Sequence, residues 1–485
     1  MNLKMHIMFR KMLTTLFWLL ALLPGLSLQA QKKGKDYYRI GVEIPGLANK
    51  EVYLGYHFAD KNYVEDTLRL DDKGRGAFHG PDTLPGGVYL LVMPNMQYVE
   101  FLFDGNNRYF TIVTDTSDIF GSLRFKGSKE NSDFLAYQKQ LSALNKELME
   151  LHKRVRELKD DKDSLEVVNE RIRKINRKTR EITRQVVESH PGTFLAGLVQ
   201  AMTPPDIPEI DIPEGTPHRD SLIWVKRYAF LRDHYLDGVD FSDERLLRSP
   251  VLYNRLNQYF NRILVQVPDS VIPRADTVIA RAAANDKVYQ YVVIFLLNNF
   301  QQSNIMGMDA VYVHLAEQYY LSGRAPWADS TLLARMEERV AHMKPNLIGK
   351  KAHDLKMETL DGQWVDLYEI DAPYTVLVFW DPNCGHCKQA IPKLHEIYQK
   401  YRDKGLKVMA VYIYDNKEIW QKFVTDHGLD DWINVWDPFQ LTGFRFYYDI
   451  YSTPVIYVLD RDKKIVAKRL DTKTLQRFLE DKLGK

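Results

Sequence analysis

The feature that most constrains this chain of 485 residues is a pair of cysteines near its C-terminal end. Cys384 and Cys387 are the only cysteines in the sequence, and two residues separate them. An apolar run over residues 375–380 precedes the pair, and an amphipathic stretch over residues 391–398 follows it. This pattern predicts a strand, a tight turn and a helix, with Cys384 at the start of the helix.

Two thiols at this spacing can close a small disulfide ring without moving the backbone. Free N–H groups and the positive end of the helix dipole lower the pKa of the first thiol, so that a thiolate nucleophile is available near neutral pH. We therefore expect Cys384 to attack a client disulfide. Cys387, nearly one turn further along and more buried, is expected to resolve the mixed disulfide and to form the disulfide Cys384–Cys387.

The side chains next to the two cysteines are candidates for tuning their chemistry. His386 can stabilise the neighbouring thiolate by charge or hydrogen bonding, which makes the couple more oxidising, and Lys388 adds positive charge. The alternative is that His386 is a solvent-facing turn residue without effect on the couple. A zinc site is disfavoured because it needs two further ligands, and the chain has no second C-x-x-C and no H-x-x-x-H.

The segment around the cysteines resembles the active site of thioredoxin-fold oxidoreductases. The tetrad Cys-Gly-His-Cys over residues 384–387 is typical of protein disulfide isomerases, whereas residues 348–355 and 452–454 are more similar to the secreted TlpA/ResA group. The resemblance implies an α/β thioredoxin fold over residues 346–485. It also implies that Thr453 and Pro454 form a cis-proline that faces the cysteines and aligns a client strand, and that Trp380 matches the family's tryptophan.

Two positions depart from the family pattern and leave one chemical step open. Val378 stands where thioredoxins carry a buried aspartate, and Ala390 stands where ResA-like reductases often carry a glutamate. Neither usual proton acceptor for the thiol of Cys387 is therefore present. Water, His386 and Asp381 are the alternatives for that role.

Residues 1–30 are predicted to be a secretory signal peptide. Basic residues precede an apolar block over residues 12–23, and small residues end the segment at Ala30. The block is too short to span a bilayer comfortably, so cleavage after Ala30 would leave an exported, periplasmic protein without a membrane span; an uncleaved anchor is the alternative. A secreted protein that used disulfides for stability would carry more cysteines, so the single pair indicates redox chemistry.

Residues 31–127 show a hydrophobic pattern with a period of two, interrupted by turn sequences around Gly74 and Gly86. This pattern predicts an antiparallel β-sandwich. The layout resembles a small β domain that is often found ahead of ResA-like domains in envelope proteins. No catalytic constellation is present in this part of the sequence.

Residues 128–345 are predicted to form an all-α domain. Two apolar series at three- and four-residue spacing slip in phase between residues 159 and 163, which predicts an antiparallel helical hairpin with Asp163 and Glu166 as a capping box. One continuous helix is the alternative. Further helices are predicted over residues 222–235, 251–265, 276–284, 288–300, 310–320 and 330–343.

Charge and histidine spacing exclude several other classes of function. Lysine and arginine number 66 against 64 aspartate and glutamate residues, so nothing in the composition indicates nucleic-acid binding. The basic second helix of the hairpin is interpreted as a solvated face, since the first helix supplies Glu147 and Glu150. His314 and His342 are expected to be ordinary helix residues because no partner lies at metal spacing. Neither a metal nor a cofactor is predicted.

The sequence therefore predicts a multidomain protein with a signal peptide, an N-terminal β-sandwich, a central all-α domain and a C-terminal α/β thioredoxin fold. The predicted function is a periplasmic thiol-disulfide oxidoreductase that acts on thiol- or disulfide-bearing client proteins and draws on an unidentified electron donor. The resemblance favours a reductase over an oxidase or isomerase. The alternative is an envelope binding or scaffold protein in which the redox pair is secondary or a sensor.

Overall fold

The structure is a computed structural model that describes residues 36–158 and 161–484. The predicted signal peptide lies outside the described residues. A β-rich N-terminal domain, a helical middle and a C-terminal α/β domain follow one another along the described chain, which confirms the predicted three-part architecture. Among the described residues, no helix combines the length and the apolar character that crossing a membrane requires.

The described part of the N-terminal domain contains two four-stranded sheets. Their strands are β1 (Tyr38–Glu43), β2 (Glu51–Phe58), β3 (Lys61–Arg69), β4 (Arg75–Gly80), β5 (Gly87–Val92), β6 (Tyr98–Phe103), β7 (Tyr109–Val113) and β8 (Arg124–Lys126). The strand orders are β4-β1-β7-β8 and β3-β2-β5-β6. Alternate side chains of both sheets, such as Ile40 and Leu54, are fully buried in one apolar cluster.

One strand pair departs from the antiparallel prediction. β1 and β7 run parallel, with Ile40 opposite Phe110. A parallel pair requires a long crossover connection, and the strands that lie between β1 and β7 in the sequence supply it, since most of them belong to the other sheet. A pattern with a period of two cannot distinguish the two pairings, because side chains alternate in both.

The predicted helical hairpin is confirmed. A short helix α1 (Ile119–Ser122) precedes two long helices, α2 (Lys129–Glu157) and α3 (Lys162–Ser189). Leu144 and Leu151 of α2 pack with Val168 and Ile175 of α3 in an apolar cluster. An ion pair between Arg171 and Glu147, at 2.6 Å, joins their outer faces, as expected for a basic helix beside an acidic one.

The predicted capping box of α3 is wrong. Asp161 is the N-cap residue, and its carboxylate accepts a hydrogen bond of 3.1 Å from the backbone N–H of Ser164. Asp163 lies inside the first turn of the helix. A carboxylate in the first turn faces the positive end of the helix dipole, but here the side chain of Asp161, before the first turn, accepts from a free N–H group of that turn.

The middle of the chain contains seven further helices in its described part. They are α4 (Phe194–Met202), α5 (Arg219–His234), α6 (Val251–Gln258), α7 (Pro268–Ala282), α8 (Asp286–Gln301), α9 (Asp309–Leu315) and α10 (Ser330–Met343). π-Helical turns extend α6 over Tyr259–Ile263 and α9 over Ala316–Leu321. Their buried side chains form one cluster that includes Val88 and Leu102 of the β-rich domain, so the two regions share a core.

Two of these helices differ from the sequence prediction. Helix α4 was not predicted, because its residues are apolar except Gly197 and Gln200, and a mainly apolar helix such as this one, with Phe194 and Leu195 fully buried, shows a weak amphipathic period. Helix α7 begins at Pro268, earlier than predicted, since a proline is favourable at the first helical position.

The described part of the C-terminal domain contains a seven-stranded mixed sheet in the order β10-β9-β13-β12-β11-β14-β15. Its strands are β9 (Lys356–Thr359), β10 (Trp364–Asp366), β11 (Tyr374–Trp380), β12 (Leu406–Tyr412), β13 (Ile433–Trp436), β14 (Val455–Asp460) and β15 (Ile465–Lys468). Its helices are α11 (Gly385–Tyr401), α12 (Lys417–Asp426), α13 (Phe444–Tyr447) and α14 (Thr472–Leu483).

Strand β11 occupies the centre of this sheet. It runs parallel to β12 and antiparallel to β14. Val376 and Val378 belong to the apolar cluster on one face of the sheet, and Leu377 and Phe379 belong to the cluster on the other face. Burial on both faces explains why the strand is a continuous apolar run in the sequence.

The short helix predicted over residues 438–446 forms only at Phe444–Tyr447. The preceding loop is held by Asp437, whose carboxylate accepts hydrogen bonds from the backbone N–H groups of Leu441 and Thr442 at 3.0 and 2.8 Å. An aspartate that bonds to nearby backbone groups competes with helix formation, which explains the later start.

Candidate active site at the cysteine pair

The turn between β11 and α11 places the two cysteines at the C-terminal end of the central strand. Cys384 is the residue immediately before α11, and Cys387 lies in its first turn. The backbone N–H of Cys384 donates to the carbonyl oxygen of Asp381 at 3.1 Å. The carboxylate of Asp381 accepts a bond of 2.8 Å from the N–H of Asn383. These bonds fix the turn, so the position of the first sulfur is set by the backbone.

The two sulfurs differ in their access to solvent. Cys384 is partly exposed, whereas Cys387 is fully buried. Cys387 packs in the same apolar cluster as Trp380 and Ile391. A molecule that approaches from solvent therefore meets Cys384 first.

The same arrangement moves the pKa values of the two thiols in opposite directions. Burial raises the pKa of Cys384, but hydrogen bonds from the Thr453 side chain, from Cys387 and from the backbone N–H of His386 outweigh burial and hold this pKa below its usual value. Burial, together with the nearby charge of Cys384, raises the pKa of Cys387 to about 12, although the backbone N–H of Asp381 opposes it. The exposed sulfur is thus the more readily ionised one.

The loop before β14 completes the site opposite the cysteines. The Thr453–Pro454 peptide bond is cis. The thiol of Cys384 lies 3.3 Å from the carbonyl oxygen of Thr453, to which it donates a hydrogen bond. Val455, the next residue, pairs with Phe379 of β11 across the sheet. Pairing of β14 with β11 therefore places Thr453 and Pro454 beside the cysteine pair.

The other predicted site residues differ in exposure and in how they contact the two cysteines. His386 and Lys388 are exposed, and the contribution of His386 to the Cys384 thiolate comes from its backbone N–H. Trp380 is fully buried, with its ring centroid 4.9 Å from that of Phe423. Asp381 is 9% exposed, and its carboxylate holds the turn through the bond to Asn383. Trp380 and Asp381 thus support the backbone of the site.

Sequence reasoning missed a charged cluster next to this loop. Asp449 is 2% exposed, and its carboxylate accepts hydrogen bonds from Arg339 of α10 and from Arg469, which follows β15. Arg339 lies 110 positions from Asp449 in the chain. No local pattern marks a contact over such a separation, so the sequence offered no signal for it.

The histidines of the helical domain have local partners. The Nε2 atom of His314 lies 2.9 Å from the carboxylate of Asp276, and the ring of His342 packs on Phe446 with centroids 4.3 Å apart. Among the described residues, no group of three or more His, Cys, Asp or Glu side chains has a geometry that could hold a metal ion.

Comparison with known families divides the chain into three matched parts. The AhpC/TSA family model matches residues 348–468. Two domains of unknown function, DUF5106 and DUF4369, match residues 168–346 and 38–134. The helical and β-rich parts thus correspond to recognised domains without an assigned activity.

Individual relatives match mainly the last domain. The thiol-disulfide oxidoreductase ResA of Bacillus thuringiensis is 26% identical over 131 residues, which cover 27% of this chain and 74% of that protein. A domain described as a possible thiol-disulfide isomerase of Cytophaga hutchinsonii is 45% identical, covers 28% of this chain and 92% of the domain, and has a TM-score of 0.27. A thioredoxin-like protein of Bacteroides caccae is 23% identical, covers 57% of this chain and 99% of that protein, and has a TM-score of 0.44.

The last domain is a thioredoxin-like domain of the AhpC/TSA family. It is homologous to ResA-type thiol-disulfide oxidoreductases, which confirms the predicted enzyme class.

Proposed function

We propose that the protein is an exported thiol-disulfide reductase of the periplasm that acts on client proteins through Cys384 and Cys387. The observation that carries the proposal is the contrast between the two sulfurs. Cys384 is partly exposed and has a lowered pKa, whereas Cys387 is buried and has a pKa raised to about 12. A nucleophile and a resolving thiol require this contrast.

The reaction begins with the thiolate of Cys384. Its sulfur attacks one sulfur of a client disulfide, the client S–S bond breaks, and the other client sulfur leaves as a thiolate that takes up a proton. A mixed disulfide then joins Cys384 to the client. Cys387 loses its proton and attacks the Cys384 sulfur, which forms the Cys384–Cys387 disulfide and releases the second client sulfur. Two electrons pass from the pair to the client, and an external thiol donor must restore the reduced pair.

Formation of the mixed disulfide helps to ionise Cys387. The charge of the Cys384 thiolate is one cause of the raised pKa of Cys387, after burial, and this charge disappears when Cys384 becomes covalently bound. The backbone N–H of Asp381 bonds to the Cys387 sulfur and favours its thiolate. The proton acceptor is water, His386 or Asp381, as the sequence already indicated.

The direction of transfer rests on the resemblance to the TlpA/ResA group, which favours a reductase over an oxidase or isomerase. Export to the periplasm is supported by the signal-peptide pattern of residues 1–30.

We also propose the domain limits 31–127, 128–345 and 346–485, with a β-sandwich as the first domain. The family matches over 38–134, 168–346 and 348–468 support this division. The sandwich is supported by the single apolar cluster to which both four-stranded sheets contribute side chains.

Insulin reduction with dithiothreitol as donor tests the function. The wild-type chain should accelerate precipitation of the insulin B chain, and Cys384→Ser should return the rate to the uncatalysed value. Full activity in Cys384→Ser would refute the proposal and favour an envelope binding or scaffold protein. The reduction potential of the pair, measured in glutathione buffers, tests the direction, since a value near or above that of disulfide isomerases would contradict a reductase.

A further inference from the structure

A cleft of about 900 Å³ is lined by residues between positions 88 and 258, more than 100 positions before the cysteine pair. It is formed where the β-rich domain, the helical hairpin and the central helices meet, with linings from β5 and β6, from α2, and from α4 and α6. A cavity of this size at a junction of domains is typical of small-molecule binding sites.

The walls of the cleft are largely apolar. Phe134, Tyr137 and Leu198 are buried and form its inner surface. Met149 and Met202 line the cleft at its rim and are 68% and 43% exposed. Methionine side chains are flexible and adapt to varied apolar shapes, so this rim suits a ligand with an apolar body.

Arg255 gives the cleft a buried positive charge. This residue lines the cleft and is 5% exposed. Its guanidinium lies 3.7 Å from the ring centroid of Tyr235, and one of its terminal nitrogens donates to the carbonyl oxygen of Tyr235. Its Nε atom is buried and has no hydrogen-bond partner among the residues that the structure describes. Among the described residues, no carboxylate forms an ion pair with Arg255, although buried charges are normally paired.

The remaining polar groups of the cleft leave this charge uncompensated. Glu100 is the carboxylate among the described lining residues, and it is occupied by His57, at 3.1 Å, and by Gln138, at 3.5 Å. Lys146 adds a second cation to the lining. Gln258 lies three residues after Arg255, and its carbonyl accepts from the hydroxyl of Tyr235 at 2.6 Å, which leaves its amide N–H groups available as donors.

We propose that this cleft binds a small amphipathic carboxylate, with the carboxylate at Arg255 and the apolar chain along the inner wall. The planar guanidinium matches a carboxylate and forms strong, charge-assisted hydrogen bonds with it. The bound anion would supply the partner that the buried cation lacks. This inference is independent of the redox function.

Calorimetric titration of the full chain with decanoate and with decan-1-ol tests the head group. Decanoate should bind at least about tenfold more tightly than the uncharged alcohol, as expected for hydrogen bonds to a charged group. Arg255→Gln should remove this preference, and Arg255→Lys should retain part of it, in variants whose thermal unfolding shows that they are folded. Equal affinities for the two compounds in the wild type, or an undiminished preference in folded Arg255→Gln, would overturn the proposal.

Two exposed apolar residues of the hairpin, one inside the cleft lining and one outside it, test whether the ligand binds along the apolar wall. Met149 lines the cleft, whereas Val167 is 71% exposed and lies on α3 outside the lining. Met149→Glu should weaken decanoate binding by about tenfold, because it places a negative charge at the rim. Val167→Glu should leave binding unchanged. Equal effects of the two substitutions would contradict binding in this cleft.

Two further titrations distinguish this proposal from the redox function and from peptide binding. Cys384→Ser should bind decanoate as the wild type does, so a failure of the redox function leaves this test intact. If decanoate does not bind but a short apolar peptide with a free C-terminal carboxylate does, the cleft is a peptide site and the small-molecule proposal is wrong.

Discussion

Arg339 of the helical domain donates a hydrogen bond to the buried carboxylate of Asp449 in the thioredoxin-like domain, with the Nη2 and Oδ2 atoms 3.1 Å apart. Asp449 precedes Thr453 by four residues, and the carbonyl of Thr453 accepts a hydrogen bond from Cys384. A second link joins the same domains, since the buried Lys468 pairs with Asp309 and donates to the carbonyl of Asn346 at 2.8 Å. The helical domain is therefore tied to the loop that contacts Cys384.

Arg339→Ala should destabilise the protein and slow the reaction of Cys384. The substitution leaves Asp449 with Arg469 as its remaining partner, and we expect a loss of about 2 kcal/mol, less than for a fully buried pair because Arg339 is partly exposed. Urea unfolding measures the stability, and alkylation of Cys384 measures the effect on the site.

The control for this variant is Arg335→Ala, one turn earlier on α10. Arg335 is exposed and bonds only to the carbonyl of Thr331 among its described contacts, so its removal should change neither measurement. If both variants behave as the wild type, the contact between Arg339 and Asp449 does not hold the loop.

The pH dependence of alkylation should separate the two thiols. Because the pKa of Cys384 is lowered, its reaction with iodoacetamide should rise with pH through a range below that of an ordinary thiol. Cys387 should stay protected, since burial holds its pKa at about 12. Mass spectrometry of the reduced, folded protein after brief alkylation at a series of pH values makes the measurement. Labelling of Cys387 at the same pH as Cys384 would contradict the arrangement.

The lowered pKa of Cys384 should also make the stability of the reduced protein depend on pH. A group whose pKa is lower in the folded than in the unfolded chain stabilises the fold above its unfolded pKa and loses that effect as the pH falls through its folded pKa. The Cys384 contribution in the reduced protein should therefore be absent in acid. Cys384→Ser should remove this part of the pH dependence.

His386→Ala should change the alkylation rate of Cys384 at neutral pH by less than about threefold, because an exposed charge contributes little in water. The side chain of His386 is exposed, and its contact with the sulfur is made by the backbone N–H, which alanine retains. The comparison is Thr453→Val, which removes the side-chain hydrogen bond to Cys384 and should slow alkylation more. A larger effect of His386→Ala than of Thr453→Val would restore the charge-based role that the sequence suggested.

The start of helix α3 can be tested with two neighbouring aspartates. Asp161→Ala removes the acceptor for the N–H of Ser164 and should lower the urea midpoint of unfolding. Asp163→Ala leaves that bond in place, so its effect should be smaller. Equal effects would mean that the cap does not set the start of this helix.

The sequence predicted the elements that local residue patterns determine, and it missed features that depend on contacts between distant parts of the chain. β11 and α11 follow from an apolar run and an amphipathic stretch, and the cysteine turn follows from their junction. Helix α4 was missed because its residues are apolar except Gly197 and Gln200, which weakens the amphipathic period. The remaining features depend on contacts between residues that are distant in the sequence, and local sequence patterns do not specify such contacts. They are the ion pair of Asp449, the packing of Arg255 on Tyr235 and the parallel pairing of β1 with β7.

Cys387→Ser should trap clients as stable mixed disulfides with Cys384. Without the buried thiol, the covalent intermediate has no internal nucleophile to release the client, whereas the exposed Cys384 can still attack. Non-reducing electrophoresis after expression of the tagged variant should show high-molecular-weight adducts that disappear with dithiothreitol. Cys384→Ser is the matched control, since its remaining thiol is fully buried and should capture none. Adducts of equal abundance in the two variants would show that the buried sulfur is reached by clients directly, and the assignment of attacking and resolving roles would then be wrong.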